Sequence, residues 1–167
     1  KNSYFTKWFE KKEVILMQTS IGVNKSSHTT ILLDSNIHNK KNNKHLRMIT
    51  TLAGKMKKYK ASLIMPNIVL YEVSKVSKTS KQKVMDKISR VFNKVTILEE
   101  NNQIKAEAKR LETQFLECHS ADSVILATAK IMDAVLVTAD RKLLRTARIE
   151  GVRVYGVKDF LKNWRLF

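Results

Sequence analysis

The chain has 167 residues, of which 43% are hydrophobic and 28% are charged, and this composition suits one globular domain with a sizeable core. Its 32 basic and 15 acidic residues give a formal net charge of +17. That excess favours a polyanionic partner such as nucleic acid, although a lysine-rich solvated surface would have the same composition. The lone cysteine, Cys118, excludes an intrachain disulfide and a cysteine-based zinc site.

Two further exclusions concern membranes and secretion. The chain has no apolar run of the length that crosses a bilayer, and acidic and basic residues interrupt its N-terminal region before a secretory signal could form. We therefore expect a cytoplasmic protein without a membrane partner.

The first 28 residues differ from the rest of the chain. They combine aromatic residues and lysines with one short apolar run and a polar stretch. We interpret residues 1–28 as an N-terminal extension of unknown role and residues 29–167 as the main domain.

From residue 29 onward, short apolar runs alternate with segments of helical periodicity. Strands are predicted at 31–33, 62–65, 95–98, 134–138 and 152–157. Helices are predicted between them, with Pro66 in the first turn of one and Ser120 as the N-cap of another. Continuous apolar strands separated by helices predict an α/β fold with a mostly parallel sheet covered on both faces.

Four acidic residues are placed to meet where parallel strands end. Asp34 directly follows the first strand, and Asp140 lies two residues past the strand that ends at Thr138. Glu72 lies about one and a half turns into the helix after the second strand, and Asp122 lies in the first turn of its helix. Each also has an ordinary interpretation: a turn residue, an N-cap, a solvated helix residue or a capping-turn acid.

Carboxylates brought together repel one another and raise each other's pKa unless a cation neutralises them. Oxygen ligands of this kind suit Mg²⁺ or Mn²⁺. Such an ion can activate water and stabilise charge on a phosphoryl oxygen. An acidic pocket in a strongly basic chain is therefore typical of an enzyme that hydrolyses phosphodiesters.

Several segments resemble those of PIN domains, and they occur in the family's order over residues 29–161. They are Ile31-Leu-Leu-Asp-Ser-Asn-Ile37, Pro66–Val73, Ser120-Ala-Asp-Ser-Val-Ile-Leu-Ala-Thr-Ala129 and Ala134-Val-Leu-Val-Thr-Ala-Asp140, followed by Arg141–Leu144 and Gly151–Tyr155. The segment around Asp122 is the most specific of these matches.

This resemblance implies a three-layer α/β/α fold and a Mg²⁺- or Mn²⁺-dependent endoribonuclease that cleaves RNA through a metal-activated water. It makes Asp34, Glu72, Asp122 and Asp140 the expected catalytic and metal-binding residues, supported by Ser35, Asn36 and Thr138. The most similar subfamily is the VapC-type toxin of VapBC toxin–antitoxin pairs, which implies a homodimer and a cognate antitoxin. A ribosomal-RNA-processing PIN nuclease and a non-catalytic RNA-binding PIN module are the alternatives.

The residues near the fourth acid are candidates for contacts with RNA phosphates. They are Arg141, Lys142, Arg145 and Arg148, although a solvated helix face would explain them nearly as well. His119 is more often an ordinary polar residue in such a position, and Asp133 is expected at the opposite edge of the sheet. The absence of a glycine-rich phosphate loop argues against enzymes that use nucleotide cofactors.

Overall fold

The computed structural model of the chain describes residues 29–38, 43–92 and 94–163. The predicted N-terminal extension lies outside the described residues. The strands are β1 (Thr30–Leu33), β2 (Ser62–Pro66), β3 (Val95–Leu98), β4 (Val135–Thr138) and β5 (Val154–Gly156). The helices are α1 (Ser35–His38), α2 (Asn43–Lys58), α3 (Asn67–Val76), α4 (Lys81–Val91), α5 (Asn102–Gln114), α6 (Ala121–Ile131), α7 (Arg141–Ile149) and α8 (Val157–Asn163).

The five strands form one sheet in the order β3-β2-β1-β4-β5, and every pair is parallel. The predicted parallel α/β/α fold is therefore confirmed. Ile31 of the central strand is in register with Leu63 on one side and Val135 on the other. Ile31, Leu32 and Leu33 are each at most 1% exposed, because helices cover both faces of the sheet.

The order in which the chain adds strands to the sheet reverses once. The chain moves outward from β1 through β2 to β3, then crosses back to β4 and continues to β5 on the other side. Since parallel crossovers are right-handed, this reversal places the two sets of connecting helices on opposite faces. It also leaves a crevice at the carboxyl ends of β1 and β4, which is the usual ligand position in such sheets.

Several element boundaries differ from the predicted ones. Pro66 is the last residue of β2 and the N-cap of α3, with φ −58°, so it precedes the helix that it was expected to begin. The fifth strand covers three residues, because α8 begins at Val157 and inserts the fully buried Phe160 into the core. No helix within the described ranges is long and apolar enough to cross a membrane.

An ion-pair network joins three helices on one side of the domain. Glu150, which directly follows α7, accepts from Arg110 of α5 and Lys130 of α6, and Glu107 of α5 pairs with the same two cations. Hydrogen bonding to Arg110, opposed by desolvation, lowers the pKa of Glu107 to about 2. The network fixes α6 against its neighbours, and the N-terminal end of α6 carries Asp122.

We expect Glu150→Gln to lower the free energy of unfolding by about 1 kcal/mol, because two cations would then share one carboxylate. Denaturant unfolding at low and high salt measures the loss, which should shrink as salt screens the charges. Asp133→Asn is the matched control, since its pair with Arg153 involves an aspartate side chain that is 93% exposed. Equal stabilities of the two variants would contradict a role for the network.

Candidate active site

The crevice between β1 and β4 is bounded by polar residues that directly follow these strands. Asp34 comes after the last residue of β1, and its backbone N–H donates to the carbonyl oxygen of Val137 in β4 at 3.0 Å. Asp140 lies two residues beyond the end of β4. Both acids therefore lie at the reversal point of the sheet, just after two buried strands.

Asp34 is a buried carboxylate, with 3% of the residue exposed. The hydroxyl of Thr138 donates to its Oδ2 at 2.6 Å, and the hydroxyl of Ser35 lies 3.4 Å from its Oδ1. Desolvation raises the pKa of Asp34, the hydrogen bonds from Thr138 and from the N–H groups of Asn36 and Ser35 oppose the rise, and the charge of Glu72 adds to it. The carboxyl group is thus held in one orientation at a cost in solvation.

Thr138 connects two of the predicted acids. Its hydroxyl oxygen donates to Asp34 and accepts from the backbone N–H of Asp140 at 2.9 Å. Asn36 adds a second link, because its Oδ1 accepts from the N–H of Ala139 at 3.2 Å. The three polar residues expected to support the site, Ser35, Asn36 and Thr138, therefore all contact Asp34 or the turn that carries Asp140.

We expect Thr138→Val to destabilise the fold by about 1–3 kcal/mol and to raise the pKa of Asp34 further. The change preserves shape but leaves a buried carboxylate oxygen and the Asp140 N–H without their partner. Denaturant unfolding measures the stability, and the carbon chemical shift of the Asp34 carboxyl group followed against pH measures the pKa. Thr138→Ser keeps the hydroxyl and should lie close to the parent, so equal effects of the two variants would contradict the role of this hydrogen bond.

Asp140 is also a helix cap. Its Oδ1 accepts from the N–H groups of Lys142 at 2.7 Å and Leu143 at 3.1 Å, at the start of α7. The N-cap interpretation of this residue is therefore correct. The cap uses one carboxylate oxygen, and Oδ2 takes no part in it.

Asp122 lies in the first turn of α6 and is partly buried. Desolvation raises its pKa to about 6; the charges of Asp34, Asp140 and Glu72 add to the rise, and His119 opposes it. Three carboxylates from other parts of the chain thus act on the fourth. Glu72, in the middle of α3, raises the pKa of both Asp34 and Asp122. All four predicted acids are therefore linked by the effect of their charges on Asp34 and Asp122.

The N-terminus of α6 is held by a residue that the sequence did not single out. Ser120 was expected to cap this helix, but it has φ 53° and makes no side-chain cap bond. Glu112 of α5 takes that role, because its Oε1 accepts from the Ser120 N–H at 3.0 Å and from the Ser123 hydroxyl at 2.7 Å. Glu112 is an exposed residue of α5, and nothing in the sequence pattern predicts this contact.

The carboxylate oxygens of this site are ligands of the kind that a hard cation such as Mg²⁺ prefers. Within the described ranges, no three His, Cys, Asp or Glu side chains are close enough to enclose a metal ion directly. The four carboxylates nevertheless interact electrostatically, and a nearby divalent cation would offset their repulsion. Mg²⁺ usually binds proteins through one or two carboxylates and keeps several waters, so it fits acids spaced in this way.

The four basic residues of α7 follow Asp140 in the chain. Arg141, Lys142 and Arg148 are exposed, as the prediction of phosphate contacts requires. Arg145 forms an ion pair with Glu117, and the hydrogen bond from Arg145 lowers the pKa of Glu117.

Asp133 lies at the opposite edge of the sheet, as expected. Cys118 is buried.

Comparison with known proteins gives a family and a fold. The sequence model of the PIN domain matches residues 31–149, which is more than half of the chain. No curated protein matches at a significant level of sequence similarity.

Solved structures with a similar fold include a protein from Pyrobaculum aerophilum, with a TM-score of 0.55 and 16% identity over 84% of this chain and 92% of that one. VapBC2 from Rickettsia felis, solved bound to a DNA fragment from its promoter, has a TM-score of 0.54 and 20% identity over 77% of this chain and 98% of that one. FitAcB from Neisseria gonorrhoeae has a TM-score of 0.53 and 19% identity over the same shares. At these identities the likeness concerns the fold. Together with the match over 31–149, it leads to one conclusion: the chain belongs to the PIN domain family.

Proposed function

We propose that this protein is a Mg²⁺- or Mn²⁺-dependent endoribonuclease. The observation that supports the proposal is that Asp34 and Asp140 follow the neighbouring strands β1 and β4, while the charges of Asp34, Asp140 and Glu72 act on Asp122. PIN domains are generally nucleases. A net charge of +17 favours a nucleic-acid substrate over a small phosphoester.

One or two of these carboxylates would hold the cation directly, and water molecules would link the cation to the others. When bound, the ion would lower the pKa of water and stabilise negative charge on a phosphoryl oxygen. The protein's part is to fix the ligands: Thr138 orients Asp34 by a 2.6 Å hydrogen bond, and the cap of α7 fixes Oδ1 of Asp140. The second oxygen of Asp140 is then left for the ion.

The basic residues of α7 would position the substrate. Arg141 and Lys142 lie in the first turn of α7, next to the Asp140 cap. Arg145 and Arg148 extend this surface along the helix. They would contact RNA phosphates and so supply affinity without selecting a base sequence.

The experiment that tests the function is cleavage of end-labelled single-stranded RNA by the purified chain. We expect internal cuts in the presence of Mn²⁺ or Mg²⁺ and none in EDTA. RNA binding without metal-dependent cleavage would contradict the enzyme and favour a non-catalytic RNA-binding PIN module.

We further propose that the enzyme is a VapC-type toxin that acts in the cytoplasm as a homodimer and is silenced by a cognate antitoxin. The motifs around Asp34 and Asp122 support this role, as does the fold similarity to VapBC2 and FitAcB. Induced expression should arrest growth, and co-expression of an adjacent small gene should relieve the arrest. Growth arrest without such a gene would contradict the toxin role and favour a ribosomal-RNA-processing nuclease.

A further inference from the structure

An exposed aromatic residue directly precedes one of the four acids in the chain. Tyr71 directly precedes Glu72 in α3 and is 48% exposed. The buried residues of α3 are Val69, Leu70 and Val73, so Tyr71 lies on the solvent side of a helix whose other side packs into the core. Nearly half of the residue is therefore left accessible to a ligand.

A lysine is held against this ring. The Nζ of Lys81, the first residue of α4, lies 5.5 Å from the centroid of the Tyr71 ring. It also donates to Oδ1 of Asn67 at 3.2 Å, and the amide nitrogen of Asn67 donates to Glu99 at 3.1 Å. An ammonium has three N–H donors, and the bond to Asn67 uses one of them.

The Tyr71 and Lys81 pair lies at the same edge of the sheet as two of the acids. Asn67 follows the end of β2 and Glu99 follows the end of β3, so the Tyr71 and Lys81 pair lies at the carboxyl edge of the sheet. That is the edge at which Asp34 and Asp140 lie, and the pair extends it toward β3.

Lysines are frequent in and around the chain segment that joins α3 to α4, although Glu72 and Glu99 also lie close to the pair. Lys75, Lys78, Lys81 and Lys83 are all exposed, and no acidic residue occurs between residues 73 and 85. An aromatic ring beside a run of cations is the combination that holds single-stranded nucleic acid, because a base stacks on the ring while the cations contact the backbone.

We propose that Tyr71 and Lys81 form a subsite for one nucleotide of single-stranded RNA that flanks the cleaved bond, with the base on the face of the Tyr71 ring opposite Lys81 and a phosphate on the Lys81 ammonium. The inference rests on the proposed function, since it assumes an RNA substrate at the acids. It adds that the RNA next to the cleaved bond must be single-stranded, which the four acids by themselves do not require.

The chain contains a matched control for this pair. Tyr59 is 42% exposed, and the Nζ of Lys58 lies 5.4 Å from its ring centroid. Tyr59 lies at the end of α2 just before β2 begins, at the amino edge of the sheet. If any exposed tyrosine next to a lysine contributed to RNA binding, replacing Tyr59 would therefore weaken binding as much as replacing Tyr71.

The test measures binding of a fluorescent single-stranded oligoadenylate to the full chain in EDTA, where cleavage does not interfere. We expect Tyr71→Ala to weaken binding on the order of 10-fold, with Tyr71→Phe close to the parent. Tyr59→Ala should leave affinity unchanged, and Lys81→Gln should reduce the slope of log affinity against log salt by about 1. A duplex of the same length should show no dependence on Tyr71.

Equal affinities of Tyr71→Ala and Tyr59→Ala, an equal loss on duplex, or no binding of the oligonucleotide by the parent protein would overturn the subsite. Because the assay contains no metal, failure of the nuclease proposal appears separately, as binding that depends on Tyr71 without cleavage when Mn²⁺ is added. Thermal unfolding of each variant checks the fold, and exposed substitutions of this kind usually change stability little.

Discussion

Replacing Asp34 with asparagine is expected to reduce RNA cleavage by roughly 100-fold or more while making the protein slightly more stable. The activity falls because an amide carries no charge and binds a divalent cation weakly. The stability rises because Asp34 is 3% exposed and burial disfavours its ionised form, which is why its pKa is raised. Asparagine keeps an oxygen that accepts from Thr138.

The two effects are measured on the same preparations. Cleavage rates are compared in Mn²⁺, and the midpoints of thermal unfolding are compared in EDTA, where a gain of about 1 kcal/mol would raise the midpoint by about 2–4 °C. Asp133→Asn, at the opposite edge of the sheet, should match the parent in both assays. Unchanged cleavage by Asp34→Asn would show that Asp34 is not part of the active site.

The second large effect concerns pH in the absence of divalent cations. Burial and three neighbouring carboxylates raise the pKa of Asp122 from its ordinary value of 3.8 to about 6. Between these values the folded chain holds a proton that the unfolded chain has released. The stability contributed by Asp122 is therefore complete below about 3.8 and is lost as the pH rises through about 6.

Asp122→Asn should remove this loss. The midpoint of thermal unfolding in EDTA should fall more steeply for the parent than for the variant between about pH 4 and pH 6. At neutral pH, Mn²⁺ at 100 times its dissociation constant should stabilise the parent by about 2.7 kcal/mol and the variant by much less. The comparison with the variant is needed because Glu107, whose pKa is lowered to about 2, changes stability in the opposite direction at lower pH. Parallel pH profiles for parent and variant would contradict the raised pKa of Asp122.

The sequence predicted the elements whose signals are local. Strand β3 has its predicted bounds, 95–98, because an apolar run between polar turns is enough to mark a buried strand. The placement of Asp34 and Asp140 at strand ends also followed from local pattern combined with the rule for parallel sheets. Both acids lie where that rule puts them.

Contacts between distant residues were not predictable in this way. The hydrogen bond from Thr138 to Asp34 joins residues that are 104 positions apart. The support of α6 by Glu112 replaces the expected Ser120 cap because the backbone at Ser120 takes a positive φ. Helix α8 was not predicted, because the apolar run 152–157 resembles a single strand. Its last residue, Val157, begins the helix, and Phe160 and Leu161 follow it at helical spacing.

The central position of β1 has a consequence for the order of synthesis. Asp34 is translated more than 100 residues before its hydrogen-bond partner Thr138 and the neighbouring strand β4. While the chain is still on the ribosome, Asp34 therefore lacks the environment that orients it until β4 has emerged. If the chain is the nuclease that we propose, the acid that follows β1 would therefore be translated without its orienting partner, and the active site could form only after β4 had emerged.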